Sequence, residues 1–326
     1  MKFEERANLV PLKEMIHVVG APDVGRLDAL VARLLQWPRS RVRGLVGHSC
    51  ASLNGIICSD AGTMVNIGDN LSLRYDPERK YREVPAARPT HGYTVIYTDS
   101  HLAVVQKDAG LLTVPTERRE SNTLVSLLAN HLAKGQKRGA KVHVVHRLDR
   151  ETSGLLVFGR TQAVADMIIK QFAARKPERE YAAIVAGVIA QDEGTIQSYL
   201  RTDRALNQKS VNQKSGGRGP AGDEGELAIT HYTVQQRYQD ATLVAVRLET
   251  GRRNQIRVHL AEQGHPVLGD QRYEPEQAAH AKWAYKRLAL HARVLGFVHP
   301  VTGEKLRFEA ALPAEFDKFS RAAGRG

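Results

Sequence analysis

The amino-acid sequence predicts an α+β chain of two modules. Three observations carry that expectation: a helix–helix–strand series over residues 25–75, a proline- and charge-rich stretch over residues 76–92, and strand-like and helix-like segments that resume at Tyr93. The chain length of 326 residues agrees, since roughly 150 residues per domain is the usual scale.

In the first module Leu27, Leu30, Val31, Leu34 and Leu35 recur at helical spacing, with Asp28 in the first turn, and predict an amphipathic helix. Pro38 suits the first position of a second helix, which would carry Val42, Leu45 and Val46 on one face and Arg39, Arg41 and Arg43 on another. Alternate spacing along a helix cannot set all three arginines on one edge, so two of them would act together. Strand-like pieces follow at residues 51–53, 64–67 and 71–75, turned at Asn54-Gly55 and Gly68-Asp69. Asn-Gly between extended pieces signals a tight turn. Residues 76–92 are poor in aliphatics and read as a linker.

Beyond the linker, residues 95–97 and 102–106 read as strands. Residues 123–133 form a predicted helix with Leu124, Leu127, Leu128 and Leu132 on one face. A second helix over residues 162–174 takes Thr161 as its N-cap and buries Val164, Met167, Ile168 and Phe172. Residues 182–189, 228–234 and 243–249 read as further strands. Residues 204–226 carry Lys, Arg, Gly and Ser with almost no aliphatics and predict a mobile surface loop.

Composition narrows the function. A hydrophobic fraction of 42% and a charged fraction of 25% belong to an ordinary globular protein and exclude disorder over most of the chain. The balance of 47 Lys+Arg against 35 Asp+Glu leaves +12, a surplus that suits a polyanionic partner. Charge alone leaves a merely basic protein equally open. Cys50 and Cys58 are too few for a disulfide framework or a zinc cluster. The start has no apolar core of signal-peptide length, and no apolar run reaches membrane-spanning length. A cytoplasmic protein is the expectation.

Chemistry concentrates in residues 142–160. Two apolar stretches flank a polar loop, His146-Arg147-Leu148-Asp149-Arg150-Glu151-Thr152-Ser153-Gly154, which presents one carboxylate between two arginines. An ionised carboxylate can attack an electrophilic sugar carbon or take a proton. A salt bridge that merely pins the turn is the plain alternative. Further on, Ile256 and Leu260 stand at i and i+4 with Gly264 as a stop, predicting a short helix that carries Arg257. His143, His146 and His259 read as structural histidines, and Asp270 as a turn residue. A glycosidase needs two opposed carboxylates, and only Asp149 is persuasively placed.

The run HRLDRETSGLL (residues 146–156) resembles the signature of the RluA family of pseudouridine synthases. Four more segments follow in that family's order: EYAAIVAG (180–187), AITHY (228–232), LETGRRNQIRVHL (248–260), and HPVLGDQRY (265–273) with RLALHARVLGFVHPVTG (287–303). The resemblance covers about residues 93–315. Residues 25–75 separately resemble the S-four-type RNA-binding domain. There are departures: Lys107-Asp108 stands where the family usually has Lys-Pro, Arg253-Asn254 where it usually has Thr-His, and Ser49-Cys50-Ala51-Ser52 replaces a glycine-valine run.

The resemblance implies an S-four-type domain over residues 1–80, a linker over 81–92 and a catalytic domain with a mixed, mainly antiparallel sheet over 93–326. It implies isomerisation of uridine to pseudouridine in RNA, most readily large-subunit ribosomal RNA, by a monomer that needs no cofactor or metal. Asp149 would be the catalytic carboxylate, Arg257 its partner, and Tyr181 the ring against the target base. Leu290 would wall the base, Arg147 and Arg150 would contact the backbone nearby, and Arg39, Arg41 and Arg43 would contact phosphates. Transfer RNA is the near alternative substrate. A non-catalytic RNA-binding assembly factor is the other alternative, although such a module has no need of Asp149, Tyr181 and Arg257 together.

Overall fold

The computed structural model describes residues 13–47, 50–58, 60–78, 81, 92–133, 140–175, 177–202, 208–211 and 225–324. The chain divides near Thr90 into two compact units, with Ile96–Thr98 grouped with the first.

The first unit runs β1 (Lys13–Val18), β2 (Gly25–Arg26), α1 (Leu27–Leu35), α2 (Arg39–Gly47), β3 (Ala51–Leu53), β4 (Ile56–Ile57), β5 (Met64–Val65) and β6 (Asn70–Tyr75). Its four-stranded sheet has the order β1-β6-β3-β4. Leu27, Leu30 and Val31 of α1 and Val42, Leu45 and Val46 of α2 are buried with Leu71 and Leu73 of β6. The apolar stripes named above thus face one core, and removing them from water supplies its main stabilisation. Asn54 and Gly55 both take positive φ, 52° and 79°, as a two-residue hairpin turn requires. The predicted linker lies outside the described residues except at its ends. Tyr81, assigned to it by composition, is buried against Trp37 and belongs to the first core.

After β7 (Tyr93–Thr98), whose start to Val95 groups with the second unit, that unit contains β8 (Leu102–Lys107), α3 (Leu124–Ala133), β9 (His143–Val144), β10 (Ser153–Gly159), α4 (Gln162–Ala173), β11 (Glu178–Ala186), β12 (Glu193–Thr202), β13 (Gln208–Val211), β14 (Glu226–Arg237), β15 (Ala241–Leu248), α5 (Gln255–Glu262), α6 (Pro275–Ala278), β16 (Leu290–Val298), β17 (Lys305–Glu309) and α7 (Ala314–Ala323). Eleven strands make one sheet, β13-β12-β14-β15-β11-β16-β10-β8-β7, with β17 beside β16 and β9 beside β10. Among the described strands whose register is given, β10 and β16 run parallel and the other pairs antiparallel. The fold is α+β with a mixed, mainly antiparallel sheet.

Two expectations change. Part of the predicted loop over residues 204–226 is strand β13, paired with β12 from Tyr199↔Val211 to Thr202↔Gln208. Its aliphatic content is low because its role is to satisfy the backbone groups of β12, which would otherwise form an open edge. The strand predicted over 182–189 runs instead from Glu178 to Ala186. Its polar start pairs along the backbone with β16 at Glu178↔Gly296 and with β15 at Glu180↔Arg247, and Glu178 and Glu180 also form ion pairs with Arg307 and Arg247.

Gly154 is required where β10 meets β16. Its φ is 121°, and a Cβ there would lie 2.2 Å from the Ala292 carbonyl oxygen. Only glycine admits this close parallel approach.

Candidate active site

The loop between β9 and β10 is held on both sides of Asp149. Leu148 is buried; its carbonyl accepts from the Thr113 hydroxyl (2.8 Å) and its N–H donates to the same oxygen (3.3 Å). Lys107, wholly buried, donates to the carbonyls of Leu111 (2.8 Å), Asp108 (2.9 Å) and Arg150 (3.0 Å). Burial pushes the Lys107 ammonium down to about 7, while the charges of Glu151 and Asp149 oppose that shift. Asp108 also supplies an N–H, which proline lacks, to the Gly92 carbonyl (2.8 Å). By sequence Lys107 stands out only for the Asp108 that follows it, and Thr113 not at all, because a lone threonine or lysine carries no spacing signal for such a brace.

Arg257 projects from α5. Buried Gln255, two residues earlier, ties this helix to β14 through the Ile229 carbonyl (2.9 Å) and the Thr230 hydroxyl (2.9 Å). Arg257 Nη1 lies 3.0 Å from Asp149 Oδ2. Its other edge is gripped by Asp270, with Nε to Oδ2 and Nη2 to Oδ1 both at 2.7 Å. Burial pulls the guanidinium pKa down, but the hydrogen bonds and charges of Asp270 and Asp149 outweigh this and raise it.

Asp270 does shape a turn, accepting from the N–H groups of Arg272 (2.8 Å) and Tyr273 (3.1 Å). It is also the fully buried counter-ion of Arg257, a role hidden in the sequence because the contact depends on how α5 packs on the following turn.

Asp149, Arg257, Tyr181, Leu290 and Arg147 line one cavity of about 510 Å³. Tyr181 sits where β11 bulges against β16, between Glu180 and Tyr181, and such a bulge re-aims a side chain. Burial raises the Tyr181 phenol, the Asp149 charge adding to it and Arg179 opposing it, so the ring is a neutral face. Leu290, buried, begins β16. His146 stacks on Phe172, with ring centroids 4.9 Å apart. Burial and the Arg179 charge hold it down at about 3, so it is neutral, with Nε2 accepting from Val157 N–H (3.2 Å).

The structure separates other candidates from this group. Arg150 is exposed, donates from Nε to the Gly110 carbonyl (3.0 Å), and does not line the cavity. Four further arginines line it: Arg175, Arg179, Arg252 and Arg253. Arg252 and Arg253 fall in the quoted segment 248–260, whereas Arg175 and Arg179 carry no signal beyond net charge, which cannot say where the charge collects.

Arg39, Arg41 and Arg43 lie on α2 of the first unit. Arg39 and Arg43 converge with Arg26 on buried Asp28 at 2.7, 3.4 and 3.1 Å. Burial pushes Asp28 up, but these arginines override it and bring it down to about 2. Arg41 points elsewhere, lying 3.5 Å over the Trp37 ring and donating to the Pro77 carbonyl (2.7 Å). No described helix is long and apolar enough to cross a membrane.

The sequence profile of the family described as RNA pseudouridylate synthase matches residues 101–262. The chain is 34% identical to ribosomal large subunit pseudouridine synthase D of Zymomonas mobilis subsp. mobilis, covering 89% of this chain and 91% of that protein. It is also 34% identical to the uncharacterized RNA pseudouridine synthase YlyB of Bacillus subtilis, again covering 89% of this chain and 91% of that protein. Among solved structures, human RNA pseudouridylate synthase domain containing 4 superposes with a TM-score of 0.56 at 25% identity, over 72% of this chain and 93% of that one. With 34% identity over 89% of its length to ribosomal large subunit pseudouridine synthase D of Zymomonas mobilis, the chain belongs to the RNA pseudouridine synthase family.

Proposed function

We propose that this enzyme isomerises specific uridines of large-subunit ribosomal RNA, with Asp149 as the catalytic carboxylate. The observation that carries the reading is the Arg257–Asp149 pair at 3.0 Å opening onto a cavity walled by Tyr181 and Leu290. The ribosomal assignment rests on relatives bearing the name ribosomal large subunit pseudouridine synthase D.

Pseudouridine formation breaks the N-glycosidic bond, turns the freed uracil and rejoins it through carbon. Breaking that bond develops positive charge on the ribose and negative charge on the base. Asp149 is only part-exposed, and a nucleotide filling the cavity would exclude more water and strengthen its field. A uridine must leave its stack to reach the site, and extruded bases are held by stacking on aromatic and apolar side chains. Tyr181 and Leu290 supply such surfaces. Arg147, with Arg175, Arg252 and Arg253 at the cavity wall, would neutralise phosphates around the extruded nucleotide.

The test is direct. Wild type and Asp149→Ala are incubated separately with unmodified large-subunit ribosomal RNA and with unmodified transfer RNA, and pseudouridine is mapped by carbodiimide-dependent reverse-transcription stops. New stops with wild type only are expected. Stops on transfer RNA alone would move the substrate, and equal activity of Asp149→Ala would remove the role given to that residue.

A further inference from the structure

We infer that Asn254 is a positioning residue for Asp149, and that the Tyr273 hydroxyl, anchored by the backbone of strand β13, holds Asn254 in place. The inference rests on the reading of Asp149 as the catalytic carboxylate and adds a second support to it.

Asn254 is the N-cap of α5, largely buried, with φ 53° and ψ 17°. Asparagine is among the few residues that enter this left-handed region readily. The hydrogen-bond network sets its amide orientation: with nitrogen toward the loop, it donates to Asp149 at 2.8 Å (Oδ2) and 3.2 Å (Oδ1), while its oxygen accepts from the Tyr273 hydroxyl at 3.0 Å. The Tyr273 oxygen in turn accepts the Gln208 backbone N–H at 3.1 Å. In the chain Gln208, Tyr273, Asn254, Asp149 each donor faces an acceptor, and this orientation exchanges a long 3.4 Å approach of Arg257 Nη1 to the amide for the two shorter bonds to Asp149.

Asp149 is therefore held from two sides. Arg257 brings charge to Oδ2, and Asn254 brings a neutral donor that reaches both oxygens and fixes the carboxylate plane. A neutral donor orients the anion without cancelling its charge. The far end is secured independently: in β13 the Ser210 N–H donates to Glu262 of α5 at 3.0 Å, and the Ser210 hydroxyl donates to Ser198 of β12 at 2.9 Å. Strand β13 thus braces both the helix that carries Arg257 and the tyrosine that holds Asn254.

The experiment uses the full-length enzyme and single-turnover and steady-state rates on a ribosomal RNA fragment. Asn254→Gly deletes the amide but keeps a residue that accepts positive φ without strain. It is expected to lower kcat by roughly 10- to 100-fold, the range for a lost hydrogen bond to a charged group, with KM within about twofold of wild type. Asn254→Asp places a second carboxylate against Asp149, so the acid limb of the rate-against-pH profile should move up by about one pH unit or more. Tyr273→Phe, which removes one oxygen, should lower kcat in the same direction by a smaller factor and leave thermal unfolding near wild type. It decides the matter should Asn254→Gly prove poorly folded. Folded Asn254→Gly and Tyr273→Phe enzymes with wild-type kcat and an unmoved pH profile would overturn the inference. Asp149→Asn is run alongside: activity retained there would instead sink the reading on which it rests.

Discussion

Arg257 stands between two carboxylates, and the arithmetic of charge explains why. Paired with Asp149 alone, it would form a neutral couple with little field to offer a developing sugar cation. Buried Asp270 occupies two of its donors at 2.7 Å, so the three groups together keep a net negative charge, and its exposed end is Asp149. Arg257→Lys keeps one charge but cannot span both partners; kcat should fall by roughly 100-fold, the worth of a misplaced charged hydrogen bond. Asp270→Asn should cost about 3 kcal/mol of folding stability by leaving a buried guanidinium short of its counter-ion, measured by urea unfolding. An unchanged midpoint would contradict this account of the triad.

A second residue-scale effect concerns acid. Burial, then the charge of Arg287, hold His291 down at about 3, against about 6.5 in an unfolded chain. Between these values the unfolded state binds a proton that the native state refuses. Stability is therefore full above about pH 6.5 and falls as pH drops through this window, by up to about 1.4 kcal/mol per pH unit for each such group. His146 adds to it with the same sign. Urea midpoints of His291→Gln should decline less steeply below pH 6.5 than those of wild type.

At the scale of elements, the site depends on a loop made rigid by its neighbours. Lys107→Met leaves three carbonyls, those of Asp108, Leu111 and Arg150, without their shared donor. Both kcat and melting temperature should drop, because the same bonds hold the fold and the placement of Asp149. Gly154→Ala should fail to accumulate as folded protein, since its Cβ would overlap the Ala292 backbone; a normal yield and melting curve would refute the packing argument. The elements themselves were unevenly legible. Helices α1 and α3 announce themselves by apolar periodicity, α5 by the Ile256–Leu260 spacing before Gly264, and α4 also by its cap, the Thr161 hydroxyl indeed accepting from Val164 N–H. Helix α7 bears a readable signal too, with Phe316, Phe319 and Ala323 on one buried face. Strand β12 was not legible. Its buried positions, Ile196 and Leu200, fall four apart among polar residues, and only its neighbours β14 and β13 make it a strand. The same holds for the site: Asp149, Tyr181 and Arg257 could be named from motifs, whereas Asp270, Asn254 and Lys107 act through contacts that exist only after the sheet and α5 have packed.

For the whole molecule, the question is what the first unit adds. It has a core of its own, around Leu27, Val31, Leu45 and Leu73, and the second unit has another, around Phe158, Ile184 and Trp283. Three partly exposed guanidiniums, of Arg26, Arg39 and Arg43, share one buried carboxylate, which leaves a surplus of positive charge on that surface. Neutralising a phosphate releases condensed counterions, so each such contact steepens the fall of affinity with salt. If these arginines read the RNA backbone, an enzyme lacking residues 1–80 should bind ribosomal RNA more weakly, with a slope of log K against log salt shallower by about 2. Its kcat at saturating RNA should stay close to wild type, because Asp149, Arg257 and Tyr181 all belong to the second unit. Filter binding across a salt series, paired with single-turnover rates, separates the two quantities. A slope identical to the full-length enzyme would mean that the basic surface of α2 serves only to neutralise Asp28, and that the affinity for RNA resides in the arginines around the cavity.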